Sequence, residues 1–234
     1  LHTAYRRQRQ MCIRDSFENL PNDVQQALKD VWNELSTFRP LCAQREGPTG
    51  VNAVNDYCED FVKTAFIVPS ADDMYNGKVI IVRQNDSGLG VANGDVAVIF
   101  GLKTADSDKP MWYAFIGDLK KIVPAQLLPK YDTAFAITIH QSQGSGFRDV
   151  AIFLPTLSAG SDAASLCTRE LLYTGITRSE KTCQIFGAKD ALDMSLKTVT
   201  QRSGGLPQRL KERFSEQGSV SYTHLRAHET LRHL

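Results

Sequence analysis

FAITIHQSQGSGF, residues 135–147, followed at 150–155 by VAIFLP, is the stretch that decides the fold. VAIFLP is a continuous apolar run, the pattern of a parallel strand covered on both faces. Ala134–Ile139 reads as a second strand or strand edge ending in Thr138-Ile139-His140, and six polar or glycine residues, Gln141 to Gly146, then fill the connection. Ligands in α/β folds bind at the carboxyl edge of the sheet, where this polar stretch is expected. Hydroxyls, an imidazole and exposed backbone N–H groups can hold phosphate oxygens there with little net charge. Read alone, an imidazole beside Ser and Gln is more often structural than catalytic, and no partner for His140 is visible.

Working outward, the α/β pattern continues on both sides. Thr168 reads as the N-cap of a helix running to Arg178, with Glu170 in its first turn and Leu171, Leu172 and Ile176 apolar. TCQIFG (182–187) reads as another buried strand, and a further helix starts near Lys189. Upstream, DVQQALKDVWNELST (23–37) spaces Val24, Leu28, Val31, Trp32 and Leu35 as an amphipathic helix, and 41–43 reads as a short buried strand. GPTG (47–50) then opens a helix over 51–64 with Val51, Val54, Tyr57 and Phe61 on one face. Such a helix start leaves backbone N–H groups that suit a phosphate, or it is a plain turn. A helix-terminal Arg178 and a loop Arg45 are each readable as solvated side chains or as phosphate contacts.

Between these halves the texture changes. KVIIVRQND, GDVAVIFGL, MWYAFIG and KKIVPAQLL are four β-type segments within 77–130. They predict a small SH3-like β-barrel. Trp112, Tyr113 and Phe115 read as its core, with base stacking as the alternative. The loop DSGLGVANGD (86–95) lacks the G-x-G-x-x-G spacing and a following helix, so it reads as a mobile hairpin loop. The expected organisation is an α/β lobe in two parts, 17–76 and 131–217, split by a barrel at 77–130.

The flanks 1–16 and 218–234 show no hydrophobic period and hold four of the five histidines; they read as translated adapter sequence or disordered tails. Setting them aside removes six of 27 basic and two of 26 acidic residues, leaving 21 against 24 and a net charge of −3 over 201 residues. A net-acidic body has no overall electrostatic footprint for nucleic acid, so any such contact rests on local sites. Five widely spaced cysteines without C-x-x-C argue against a disulfide framework or a metal site and for a cytoplasmic setting; Cys42, Cys167 and Cys183 read as small core residues. No apolar run approaches a membrane span.

Taken in order, LCAQREGPTGVNAVN (41–55), VRQNDSGLGVANGDVAV (82–98), YDTAFAITIHQSQGSGFRDVAIFLP (131–155), CTRELLYTGITRSEKTCQIFGA (167–188) and the terminal QRSGGLPQRL (201–210) resemble superfamily 1 DNA helicases of the RecD type. These are the exodeoxyribonuclease V alpha subunits, and the resemblance takes in motifs IV, V and VI. It covers nearly all of residues 30–216, and the pair T-x-H-x-x-Q-G and Y-T-x-x-T-R is specific. It implies a RecA-like second lobe (domain 2A) carrying the barrel as an SH3-like 2B insert. Arg178 would then reach the γ-phosphate of ATP, bound with Mg²⁺ mainly on the first lobe, and Arg45 would be a second catalytic phosphate contact. Gln143 and Gly144 would line the nucleotide cleft. Thr138, His140 and Ser142, with Gly50 and Val51, would lie along single-stranded DNA. The implied activity is ATP-driven 5′→3′ unwinding of duplex ends with RecB and RecC in double-strand-break repair and recombination.

Two residues depart from the family's H-K-S-Q-G-S-E-F. Gln141 stands for the Lys, removing a partner for phosphate or an acid, and Gly146 stands for the Glu, removing an anchor in the nucleotide cleft. No G-x-x-x-x-G-K-[ST] occurs, so nothing in this chain cradles the β- and γ-phosphates. The chain is therefore expected to be a helicase segment cut near Phe17 and inactive alone; the alternative is a non-enzymatic DNA- or partner-binding module.

Overall fold

The computed structural model describes residues 17–104, 107–157 and 162–200. The two flanks and QRSGGLPQRL lie outside them. In chain order the elements are α1 (Asn22–Thr37), β1 (Phe38–Cys42), α2 (Val51–Ala65), β2 (Val79–Val82), β3 (Val96–Thr104), β4 (Ser107–Ile116), β5 (Lys121–Pro124), β6 (Tyr131–Thr133), β7 (Ile137–Thr138), β8 (Phe147–Phe153), α3 (Arg169–Ile176), β9 (Ser179–Phe186) and α4 (Lys189–Lys197). No described helix is long and apolar enough to cross a membrane.

Two sheets form. The first is all parallel, in the order β7-β1-β8-β9, with Leu41 beside Ile137 and Ile152, and Phe153 beside Phe186. Successive side chains of a strand point to opposite faces, so each central strand feeds two cores. Leu41 joins Ile137, Ile152, Leu171 and Leu172 on one side, whereas Cys42 joins Val51 and Ala136 under α2 on the other. Val150, Ala151 and Ile152 are all buried, as VAIFLP predicts. The second sheet is antiparallel, in the order β5-β4-β3-β2-β6. It takes in Tyr131–Thr133, which pair with β2 although the sequence division puts them in the lobe. That strand is only three residues long, too short to leave a period. Among the described residues no ladder joins β5 to β6.

The antiparallel sheet is packed into the lobe. Val79 and Ile81 of β2 lie in the lobe's core, while Ile80 and Val82 lie in the sheet's own core. Tyr113 and Phe115 are buried core residues, but against Phe17, Leu28 and Trp32 of the α1 region, and Trp112 packs partly buried on the opposite core. The Trp32 indole sits on Gly117, where any Cβ would fall 2.1 Å from the ring. A network centred on Glu59 ties the 66–76 connection down: Lys63 and Lys78 pair with its carboxylate at 3.2 and 3.5 Å and donate to the carbonyls of Ser70 and Asp73.

Four local expectations need correction. β1 starts at Phe38, because β8 pairs with all of it while β7 reaches only Leu41 and Cys42, so Pro40 lies where the strand has a single neighbour and its lost N–H is tolerated as at an edge. Tyr57 and Phe61 are exposed; the buried face of α2 runs through Val51 and the polar Asn55. The 182–187 strand is an edge strand with Ile185 and Phe186 exposed, since only β8 flanks it. The 86–95 loop is held by an Asp86–Val91 bridge, by the Leu89 N–H on Asp86, and by Lys121 donating to the Leu89 and Gly90 carbonyls.

Candidate functional site

The connection 139–146 leaves the carboxyl end of β7 and enters the amino end of β8. Thr138 is level with Cys42, and Cys42 with Phe153, so the connection must travel back along six residues of β8. At about 3.3 Å per residue that is roughly 20 Å. Only its beginning lies at the carboxyl edge; its end, beside Ser179, lies at the amino edge.

Its conformation is set by its own polar groups. The Gln141 side-chain oxygen accepts from the Thr138 N–H and hydroxyl at 3.0 Å each, and the Gln141 N–H donates back to the Thr138 hydroxyl at 3.2 Å. Gln141, one of the two family departures, therefore closes the turn, which an ammonium cannot do because it accepts nothing. Ser142 is fully buried and its hydroxyl donates to the Ile139 carbonyl at 2.7 Å. This corrects Ser142 as a DNA contact: it braces the turn from within. His140, Gln143 and Gly144 are exposed, and Gly144 has φ +88°, the left-handed region natural to glycine. At the other departure, Gly146, the Glu180 carboxylate comes within 3.3 Å of where a Cβ would stand.

Arg178 lies two residues past α3. That helix starts where expected, with the Thr168 hydroxyl accepting from the Leu171 N–H at 3.3 Å, and Gly175 lets it approach the side chain of Ile152. Arg178 donates through Nη1 to the Ser145 carbonyl at 3.0 Å, through Nε to the Thr174 carbonyl at 3.2 Å and through Nη2 to the Thr177 hydroxyl at 3.3 Å. Its own carbonyl receives the Phe147 N–H at 2.8 Å. The two motifs separated in sequence thus meet at the amino edge. A guanidinium has five N–H donors, so two remain.

Arg45 is elsewhere. It follows the carboxyl end of β1, whereas Arg178 precedes the amino end of β9, and all strands between them run parallel. The strand ends that they flank are roughly 20 Å apart. The Arg45 Nη2 lies 3.0 Å from Asp132 of β6, whose same oxygen is 3.1 Å from Nε of Arg83. Gly50 and Val51 are corrected as DNA contacts. The N–H groups of Gly50, Val51 and Asn52 donate to the carbonyls of Gly47, Gln44 and Arg45 at 3.0 Å, because the preceding turn wraps over the helix start. Val51 itself is a core side chain.

Four residues that the sequence reading passed over position this site. Asn55 donates to the Thr133 and Ala136 carbonyls at 2.9 and 3.1 Å and accepts from the Ala136 N–H at 2.7 Å, fixing the approach to β7. Its only sequence signal was a polar residue on the buried side of a helix. Arg39 is buried, donates to the Ala134 carbonyl at 3.0 Å and stacks 5.3 Å from the centre of the Phe147 ring. It thus clasps both ends of the 134–147 segment, and burial lowers its pKa to about 10. Arg83 and its partner Asp132 carried no signal, since they converge from different strands.

The result is a parallel α/β lobe with a packed antiparallel sheet, in which one polar connection runs from one sheet edge to an arginine at the other. Residues 133–185 match the UvrD-like helicase C-terminal domain. The chain is 34% identical over 177 residues to the RecBCD enzyme subunit RecD of Mycolicibacterium smegmatis, covering 76% of this chain and 30% of that protein. It is 31% identical over 170 residues to the RecD subunit of Buchnera aphidicola, covering 69% and 26%. These matches place the chain with the C-terminal part of RecD-type subunits, and it spans under a third of their length. Among solved structures it is similar to the Pif1 helicase from Bacteroides, at 14% identity with a TM-score of 0.44, covering 87% of this chain and 55% of that one.

Proposed function

We propose that this chain supplies the second motor lobe of an ATP-dependent DNA helicase with 5′→3′ polarity, working with RecB- and RecC-type partners on single strands and duplex ends in cytoplasmic double-strand-break repair. The antiparallel sheet serves as its SH3-like 2B element. The observation that carries this reading is the 139–146 connection, which joins the edge bearing Thr138 and His140 to the edge where Arg178 is bonded to Ser145. One segment in touch with both edges is what a motor needs to couple a strand to a nucleotide.

In this reading Thr138 and His140 face the DNA strand, and Gln143 and Gly144 lie towards the nucleotide. Arg178 offers its two spare donors to the transferring phosphoryl group across the cleft. A charge held by three internal hydrogen bonds needs little reorganisation when negative charge develops opposite it. Bound ATP with Mg²⁺ supplies the phosphoryl transfer that drives the lobes. In this reading Mg²⁺ arrives with the ATP, which is bound mainly on the first lobe.

The test is Arg178→Ala in the full-length protein. DNA-stimulated ATP turnover should fall by about 10³–10⁵-fold, the contribution of arginine fingers in comparable phosphoryl-transfer sites, with DNA binding retained. Turnover kept within a few-fold of the parent overturns the role of Arg178.

A further inference from the structure

We infer that Arg45 and Arg83, gathered around Asp132, form an additional contact for the backbone phosphates of single-stranded nucleic acid at the carboxyl edge of the parallel sheet. The inference rests on the reading that Thr138 and His140 mark the strand-binding edge. Arg45 and His140 follow adjacent strands at that edge, since β1 pairs with β7 and Cys42 lies beside Thr138. Arg83 follows β2 of the antiparallel sheet, so the cluster bridges the two sheets.

The charge at this place is unbalanced. One oxygen of Asp132 takes both Arg45, at 3.0 Å, and Arg83, at 3.1 Å, and a single carboxylate cannot neutralise two guanidiniums. Arg45 donates to that oxygen and Arg83 pairs with it as an ion, and the two arginine side chains are 45% and 27% exposed, so further donors face solvent. Lys130, also exposed, is joined on by its carbonyl, which receives the Arg83 N–H at 2.7 Å. The excess concerns the groups in contact: Glu46, next to Arg45 in sequence, has its carboxylate on the Asn52 amide at 2.8 Å, and the body as a whole carries −3. Asp132 fixes two arginines from different sheets so that they present a ready fork for phosphate oxygens. It also competes with any anion that binds there.

That dual role gives opposite signs for two neighbouring changes. Binding of a fluorescein-labelled dT15 strand by the full-length protein is followed by anisotropy over a salt series. Arg83→Ala should weaken binding severalfold and lower the slope of log K against log salt by about 0.7, the value of one single-strand phosphate contact. Asp132→Asn should tighten binding about two- to fivefold, the size of an exposed ion pair released. If both changes weaken binding alike, with a shared fall in melting temperature, the trio is an ion-pair brace between the sheets and the inference fails. An unchanged salt slope in Arg83→Ala also overturns it. A control titration with a fluorescent ATP analogue should be unaffected by Arg45→Ala. Weaker analogue binding with unchanged dT15 binding would return Arg45 to the nucleotide and overturn the inference. His140→Ala separates the underlying reading: if it leaves dT15 binding intact while Arg83→Ala lowers the slope, the reading of the 139–146 connection falls and the phosphate contact stands.

Discussion

Single residues in this protein do their work through what they leave unspent. Arg178 commits three of its donors to Ser145, Thr174 and Thr177 and keeps two, whereas Ser142 keeps nothing: its hydroxyl is committed to Ile139. Cys42 shows the same logic for a proton. Burial, with a smaller contribution from Cys58, pushes its thiol up to about 12 from an ordinary value of 9.0. A pKa raised in the folded state means that the unfolded chain ionises first. The resulting stability is therefore complete below pH 9 and is lost as pH rises from about 9 towards 12. At pH 10 the loss from this one thiol is about 1 kcal/mol. Urea unfolding at pH 8 and pH 10 should show a smaller fall in midpoint for Cys42→Ala than for the parent. Equal falls would show that Cys42 contributes nothing to the pH dependence.

Among the elements, α3 has the clearest division between what local chemistry sets and what packing sets. Thr168 caps it, Glu170 lies in its first turn, and Leu171 and Leu172 bury its inner face, all of which sequence spacing predicts. Thr168→Ala should cost about 0.5–2 kcal/mol, and Thr168→Ser or Thr168→Asp should restore most of it. Melting temperatures of the three variants test this; an unaffected Thr168→Ala would mean that tertiary packing alone holds the helix start. In α2 the periodicity misled, because Tyr57 and Phe61 share an apolar spacing with Val54 yet stand exposed, while Asn55 is buried with three hydrogen bonds to 133–136. A polar side chain enters a core only when partners await it, and those partners lie about eighty residues away in sequence. The strand at 182–187 is an exposed edge for a related reason: apolar content shows that a strand can be covered, not that a neighbour covers it.

At the scale of the whole molecule, the antiparallel sheet and the lobe are one packed body. Val79 and Ile81 belong to the lobe's core, and α1 reaches the sheet through Leu28 and Trp32. Residues 77–133 are therefore not a removable insert. Replacing them with a short Gly/Ser linker should abolish cooperative melting followed by far-UV circular dichroism, since it strips apolar partners from both cores. A retained sharp transition would show that the lobe folds without the sheet.

Local spacing and turn chemistry suffice for the alternation of α and β, the buried run at 150–155, the capped helix before Arg178, the antiparallel segments and the helicase motifs. Which residues of those motifs share an edge follows from the assembled sheet. Folding separated the strand ends that Arg45 and Arg178 flank, because the strands run the same way and one arginine follows a strand while the other precedes one. It also closed the N–H groups of the helix start at Gly50, and turned Gln141 onto Thr138. The physical reason is the same throughout: hydrogen-bond partners and sheet neighbours come from distant parts of the chain, and a residue's freedom to meet a ligand depends on which of them have already claimed it.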